Sequence, residues 1–183
     1  MKHTLGGLCL LLALPLAGCQ STSLTVQNPL EESDLREAAR HLDGVTPGAR
    51  RLDELTYQPL ELAQNTSFII GTSDPLIALD SGRTFLKAFE LPEKPQNLTL
   101  RIQSIAGDQS IFAPAALVLD KDFNVVRRIP GDTFVYAPAQ FLSPDRLEAS
   151  IEDIGSASGA RYVVIHTTDS ARQGQTRLTH PAK

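Results

Sequence analysis

Two stretches of this chain alternate apolar and polar side chains with a period of two, and that pattern restricts its fold more than any other feature. Leu98, Leu100 and Ile102 alternate with Asn97, Thr99, Arg101 and Gln103, and Leu147, Ala149 and Ile151 alternate with Arg146, Glu148, Ser150 and Glu152. Successive side chains of an extended chain point to opposite faces, so this spacing predicts strands with one face buried and the other in water. Ala115–Leu119 and Tyr162–Ile165 are instead apolar throughout. Runs of that length fit strands covered on both faces, or core strands of a sandwich. Weaker candidates are Ser67–Ile70, Thr84–Leu91, Asn124–Arg128 and Thr133–Tyr136, punctuated by turn formers at Asp74-Pro75, Asp80-Ser81-Gly82, Pro92, Pro95, Gly107-Asp108, Pro130-Gly131-Asp132 and Gly155–Gly159. About eight short strands with frequent turns predict a mainly β fold, a single β-sandwich or small barrel over residues 49–183. No repeat and no second domain is visible, and the polar tail after Ser170 is expected to be loose.

The amino terminus reads as an export signal over residues 1–18. Lys2 supplies a positive charge, and Leu5–Leu16 is an apolar run of roughly 12 residues, too short to span a bilayer, which takes about 20. Leu16-Ala17-Gly18-Cys19 follows at once. This resembles the lipobox of bacterial lipoproteins, which implies cleavage before Cys19, a diacylglyceryl group on its thiol and acylation (palmitate) of the new amino terminus. Cys19 is therefore the expected lipid attachment residue. Gln20 after it resembles the sorting signal for the outer membrane, with the domain facing the periplasm. Residues 19–27 are a short polar tether. Over 28–48, Asn28-Pro29-Leu30-Glu31 has the form of a helix start, and Leu35, Ala38, Ala39 and Leu42 recur at helical spacing. One short α-helix over residues 30–42, ended by Gly44 and Pro47, is predicted ahead of the sandwich.

Processing leaves 165 of the 183 residues, with 16 basic against 21 acidic side chains and a net charge of −5. An acidic chain lacks the basic footprint that nucleic acid requires, so no nucleic-acid partner is expected. Cys9 leaves with the signal and Cys19 is acylated, so no thiol remains for a disulfide, a thiolate metal site or a nucleophile. The fold must be held by burial alone, which a chain of about 150 residues can manage.

Chemistry-bearing patterns are few. Asp120-Lys121-Asp122-Phe123-Asn124 opens like a calcium loop, but Val125 stands where glycine belongs and no Glu follows at the twelfth position. A hairpin turn is the plainer reading. Of His3, His41, His166 and His180, no two share metal-ligand spacing. Gly155-Ser156-Ala157-Ser158-Gly159 has Ala157 at the centre, where a nucleophile elbow needs a hydroxyl. No catalytic residue, cofactor or metal is expected. For sugar binding there is no Trp, and among three Tyr the pair Phe134 and Tyr136 are the weak ligand candidates; both rings can equally fill the core.

One stretch is more distinctive. Gln109-Ser110-Ile111-Phe112-Ala113-Pro114-Ala115-Ala116-Leu117-Val118-Leu119-Asp120 resembles the S-V-F-A-P-x-V-L-x-L-D segment of the maltose operon periplasmic protein (MalM) family. Phe134-Val135-Tyr136 resembles that family's F-x-Y. Leu142-Ser143-Pro144-Asp145-Arg146-Leu147-Glu148 resembles its S-A-D-R-L-E, and Tyr162–Asp169 its Y-V-L-V-F-T-T-E. Leu52–Leu60 is similar to its L-x-x-L-x-W-x-P-V, with Tyr57 in place of Trp. The order and spacing agree over residues 52–183. The matching positions Phe112, Ala113, Pro114, Asp120, Asp145, Arg146 and Leu147 are core and turn residues, a signature of fold rather than of chemistry. Phe112 reads as a core plug, Pro114 as a break in a strand ladder, Asp145 as an acceptor of backbone bonds in a turn, and Arg146 as the partner of a nearby acid.

The resemblance implies a non-catalytic periplasmic lipoprotein accessory to carbohydrate transport, of maltose or maltodextrin, with a porin or a sugar transporter component as partner. A structural or assembly lipoprotein of the envelope with no sugar role is the alternative. A hydrolase would require Ser, His and Asp to converge in one cleft.

Overall fold

The computed structural model describes residues 44–93, 97–106, 111–141 and 143–173, together with Leu42. The predicted helix over 30–42, Cys19 and residues 174–183 thus lie, Leu42 apart, outside the described residues. The architecture is mainly β. In chain order the strands are β1 Gln58–Pro59, β2 Leu76–Leu79, β3 Gly82–Phe85, β4 Lys87–Glu90, β5 Leu100–Ile105, β6 Ala115–Leu119, β7 Val125–Ile129, β8 Val135–Ala137, β9 Arg146–Ile151 and β10 Tyr162–His166. Past the helical residues Leu42 and Gly44, a short helix, α1, spans Asp169–Arg172.

The strands form a five-stranded sheet in the order β1-β4-β10-β6-β7, a three-stranded sheet β5-β9-β8, and the hairpin β2-β3. Among the described residues no barrel closes, and each sheet keeps two outer strands. β10 runs antiparallel to both β4 and β6, with Val163 opposite Phe89 on one side and Val118 on the other. The unbroken apolar runs follow from cover on both faces of this sheet. Phe89, Val163, Ile165, Ala116 and Val118 pack against Ile102, Ala149 and Ile151 of the three-stranded sheet. On the opposite face Ala88, Val164, Leu117 and Leu119 pack against Ile77, Leu86, Ala49 and Leu55. Burying each such Val, Leu or Ile contributes about 1.5–3 kcal/mol, which takes the place of the missing disulfides.

The half-buried strands behave as their alternation predicts. Along β5, Ile102 and Ser104 are buried while Arg101, Gln103 and Ile105 are exposed. In β9, Ala149 and Ile151 are buried and Ser150 is exposed.

Several expectations need correction. Thr84–Leu91 is two strands, because β3 pairs with β2 whereas β4 pairs with β10. They part at Leu86, which is fully buried and gives its amide to the Pro75 carbonyl at 3.2 Å. Ser67–Ile70 forms no strand, Thr133 belongs to a 3-10 turn ahead of β8, and β1 and β2 carry no local signal strong enough to predict them. Past Ser170 the described chain runs on through the end of α1, which the Thr168 hydroxyl caps by accepting the Ala171 amide at 3.1 Å, and residues 174–183 of the polar tail lie outside the described residues. At the other end, contacts reach back before residue 49: Gly48 donates to the Leu76 carbonyl at 3.1 Å, and the Arg83 guanidinium donates to that of Val45.

Candidate functional site

A wide cleft opens on one side of the sandwich, between its two facing sheets. β1 ends where Leu60 donates to the Glu90 carbonyl at 2.9 Å, and the chain then leaves the sheet. Residues 61–70 cross the gap between the two facing sheets as a strap. The Phe68 ring holds it from below, with its centroid 5.0 Å from that of Phe89. Asp74 closes its far end: its carboxylate accepts the Gly71 amide at 2.8 Å and pairs with Lys87 at 2.5 Å. Between the strap and β5 lies a groove of about 650 Å³, within the range of ligand clefts of roughly 300–1,000 Å³. Phe89, Val163, Ile165 and Ile102 give it an apolar floor, while Gln64, Asn65, Arg101 and Gln103 stand on its rim.

The central family-like segment closes one end of this cleft. Phe112 is half-buried against the core, and Pro114 is fully buried just before β6 begins. The Ser104 hydroxyl, on the inward face of β5, donates to the Phe112 carbonyl at 2.6 Å and ties the segment to the cleft wall. Ala113 is half-buried between them.

The other candidates lie elsewhere. Asp120 builds the β6–β7 turn: one carboxylate oxygen accepts the amides of Asp122 at 2.8 Å and Asn124 at 2.9 Å. Those bonds, the Asn124 amide foremost, hold its carboxyl below the usual range. The carboxylate is engaged in an Asx turn, as the hairpin reading has it. Asp145 accepts the Tyr136 hydroxyl and, at 3.0 Å, the Ala139 amide. Arg146 pairs with Glu148 at 2.8 Å and thereby holds that carboxyl below its ordinary value; Gln103 donates to the same oxygen at 2.9 Å. Leu147 packs half-buried on the core. Phe134 is buried in that core, and Tyr136 gives its hydroxyl to Asp145, so neither ring lines the cleft.

Among the described residues no nucleophile and base come together. His166 is 3% exposed at the end of β10, and burial pushes its pKa down. Its Nδ1 lies 3.0 Å from the Thr167 carbonyl, an acceptor, so that nitrogen carries the proton of a neutral ring. Among the described residues no hydroxyl is bonded to this imidazole, and no three His, Cys, Asp or Glu side chains cluster as metal ligands. No described helix is long and apolar enough to cross a membrane.

Two features escape sequence reasoning. One is the strap, whose exposed Leu62 and Ile69 and tilted Phe68 ring give only the signal of a weak strand. The other is a triad of rings from three distant segments. Tyr162 stacks on Phe123 with centroids 4.8 Å apart and lies 4.4 Å from Tyr57. Tyr57 donates to the Leu52 carbonyl at 2.8 Å, and burial raises its pKa well above that of an ordinary tyrosine. Phe123 reaches the stack from a left-handed backbone (φ 63°), a conformation that its ring contacts help to maintain.

Comparison with known proteins agrees with the sequence blocks. The family described as maltose operon periplasmic protein precursor (MalM) matches residues 81–183. The maltose operon periplasmic protein of Salmonella typhimurium is 30% identical over 186 residues, covering 100% of this chain and 58% of that protein. Its namesake in Escherichia coli is 29% identical over 135 residues, covering 72% of this chain and 44% of that one. The chain spans about half the length of these curated relatives. No solved structure matches. With a family match over more than half its length, and with the same blocks building its core, its turns and one end of its cleft, the chain belongs to the maltose operon periplasmic protein (MalM) family.

Proposed function

We propose that this protein is a non-catalytic periplasmic lipoprotein, held at the outer membrane through Cys19, that assists carbohydrate uptake. Maltose or maltodextrin is the cargo, and a porin or a sugar transporter component is the partner. The observation that carries the reading is the cleft beside β5: a preformed groove of about 650 Å³ with an apolar floor and amide-bearing rim, among whose lining residues no nucleophile is paired with a base. Such a groove suits binding rather than bond breaking. The family supplies the sugar connection, since both curated relatives are named for the maltose operon.

The test is uptake of labelled maltodextrin by a deletion strain at limiting concentration. Uptake is expected to fall, to recover with the wild-type gene, and to stay low with Gln103→Trp, which fills the rim. Normal uptake in the deletion strain would overturn the sugar role and leave a structural or assembly role in the envelope.

A further inference from the structure

We propose that the cleft takes an extended polypeptide segment of a partner protein, which adds as a strand to the outer edge of β5, carries apolar residues at alternate positions and sets an acidic residue beside Arg101. This deepens the accessory reading by naming the partner's chemistry, and it rests on that reading only in placing the protein's contacts at this cleft.

The first argument compares sheet edges. Exposed strand edges invite pairing, and folds commonly blunt them with prolines, charges, bulges or shortness. Three of the four outer strands of the two facing sheets are blunted. β1 has two residues and ends in Pro59. β8 has three and is followed by Pro138. β7 carries the exposed Arg127 and Arg128, and its register with β6 shifts at Val118/Leu119. β5 is the least blunted: six residues, no proline, an unbroken register with β9, a single exposed charge at Arg101, and Ile105 at its end 53% exposed.

The second argument is the direction of the backbone groups. Ala106 donates to the Asp145 carbonyl at 2.9 Å, which marks Ala106 and Asp145 as a hydrogen-bonded pair continuing the β5–β9 register. Bonded and non-bonded pairs alternate along an antiparallel ladder. Ser104, Ile102 and Leu100 therefore exchange bonds with β9. Arg101, Gln103 and Ile105 turn their N–H and C=O groups the other way, into the cleft. No described residue bonds to these groups. They recur every second residue, about 6.8 Å apart, the repeat of an extended chain.

The third argument is the shape of the slot and its charge. Residues 64–70 line the same groove as β5, so a segment added to that edge would lie against the strap as well as the sheet. Side chains of an added strand would alternate between the apolar floor and the outer face that holds Arg101 and Gln103. Arg101 is exposed and makes no salt bridge with any described residue, and a cross-strand neighbour of opposite charge is the favoured pairing.

The full chain would be titrated with acetylated eight-residue peptides that carry valine at alternate positions and one glutamate between them. Saturable binding is expected, with exchange of the Gln103 and Ile105 amides slowed at least about tenfold. Methylating alternate peptide nitrogens should weaken binding at least about tenfold, as loss of edge hydrogen bonds requires. Gln103→Pro, which removes an edge donor without touching the ladder to β9, should do the same, and Arg101→Glu should reverse the preference in favour of lysine peptides. Failure of every peptide to bind, equal binding of the methylated peptide, or unchanged edge exchange at saturation would overturn the proposal. So would edge amides already protected in the protein alone or only in a dimer, or displacement of peptide by maltoheptaose. Normal sugar uptake in the deletion strain would remove the transport role and leave this pairing intact.

Discussion

The Tyr136 hydroxyl donates to Oδ1 of Asp145, and the same oxygen accepts the Ala139 amide. Asp145 is 2% exposed, so the loop between β8 and β9 is organised around a carboxylate removed from water, whose Oδ1 gathers both donors. A hydrogen bond to such a charged acceptor is worth about 1.5–3 kcal/mol. Tyr136→Phe is expected to lower the unfolding free energy by that much, read as a lower urea midpoint at unchanged slope, and Asp145→Ala by more, because the Ala139 amide then loses its acceptor as well. Equal midpoints for Tyr136→Phe and wild type would show that the phenol contributes only its ring.

Gly82 and Gly159 both have positive φ, at 110° and 76°, but differ in their surroundings. A Cβ on Gly82 would stand 2.1 Å from Cγ of Asp169, whereas one on Gly159 meets nothing. Asp169 is held there by its amide bond to the Ser81 carbonyl at 3.0 Å and by its ion pair with Arg172. Either alanine substitution carries a left-handed backbone cost of about 1–2 kcal/mol. Gly82→Ala is expected to cost measurably more than Gly159→Ala, and adding Asp169→Ala should recover the excess in a double-mutant cycle. Equal costs at the two glycines would mean that the carboxylate simply swings aside.

Much of this fold is legible in local pattern. The run Tyr162–Ile165 has no polar break, and only a strand covered on both faces tolerates that; β10 lies at the centre of the larger sheet between Phe89 and Val118. The corner at Leu86 is not legible, because Thr84–Leu91 is continuous in composition and only the distant Pro75 carbonyl makes the chain change sheets. The cleft is hidden for a related reason. Its walls, residues 64–70 and β5, lie some thirty residues apart in sequence, and the strap has the composition of a strand while pairing with none. Asp145 is readable as a turn acceptor, but its ring partner is not, since Tyr136 looks equally suited to a ligand or to the core.

His166 gives the fold a pH dependence with a defined sign. Burial lowers its pKa below the ordinary 6.5, so the unfolded chain binds the proton more readily than the folded one. Stability from this group is complete above about 6.5 and is lost as pH falls from there toward the lower folded value. The urea midpoint is expected to drop between pH 7.5 and 5.5, above the range where Asp120 and Glu148 with their lowered values contribute. In His166→Gln that slope should flatten. A slope unchanged in the variant would assign the acid sensitivity to other groups.

The proposed lipid anchor is open to the most direct measurement. A single acyl chain binds membranes only marginally, with an association constant of about 10⁴ M⁻¹, whereas two or more anchor stably. The residues around Cys19 match a lipobox, so the mature protein should carry a diacylglyceryl group on sulfur and a further acyl chain on nitrogen. Wild-type protein is expected in the outer-membrane fraction, with an intact mass above that of the polypeptide from residue 19 onward. Cys19→Ser removes the nucleophile: the protein should lose the added mass, leave the membrane pellet and retain an uncleaved or differently cleaved leader. Because the fold buries its core without any thiol, the urea midpoint of the soluble variant should equal that of the anchored form. An unaltered mass and fractionation pattern in Cys19→Ser would exclude lipidation at this residue.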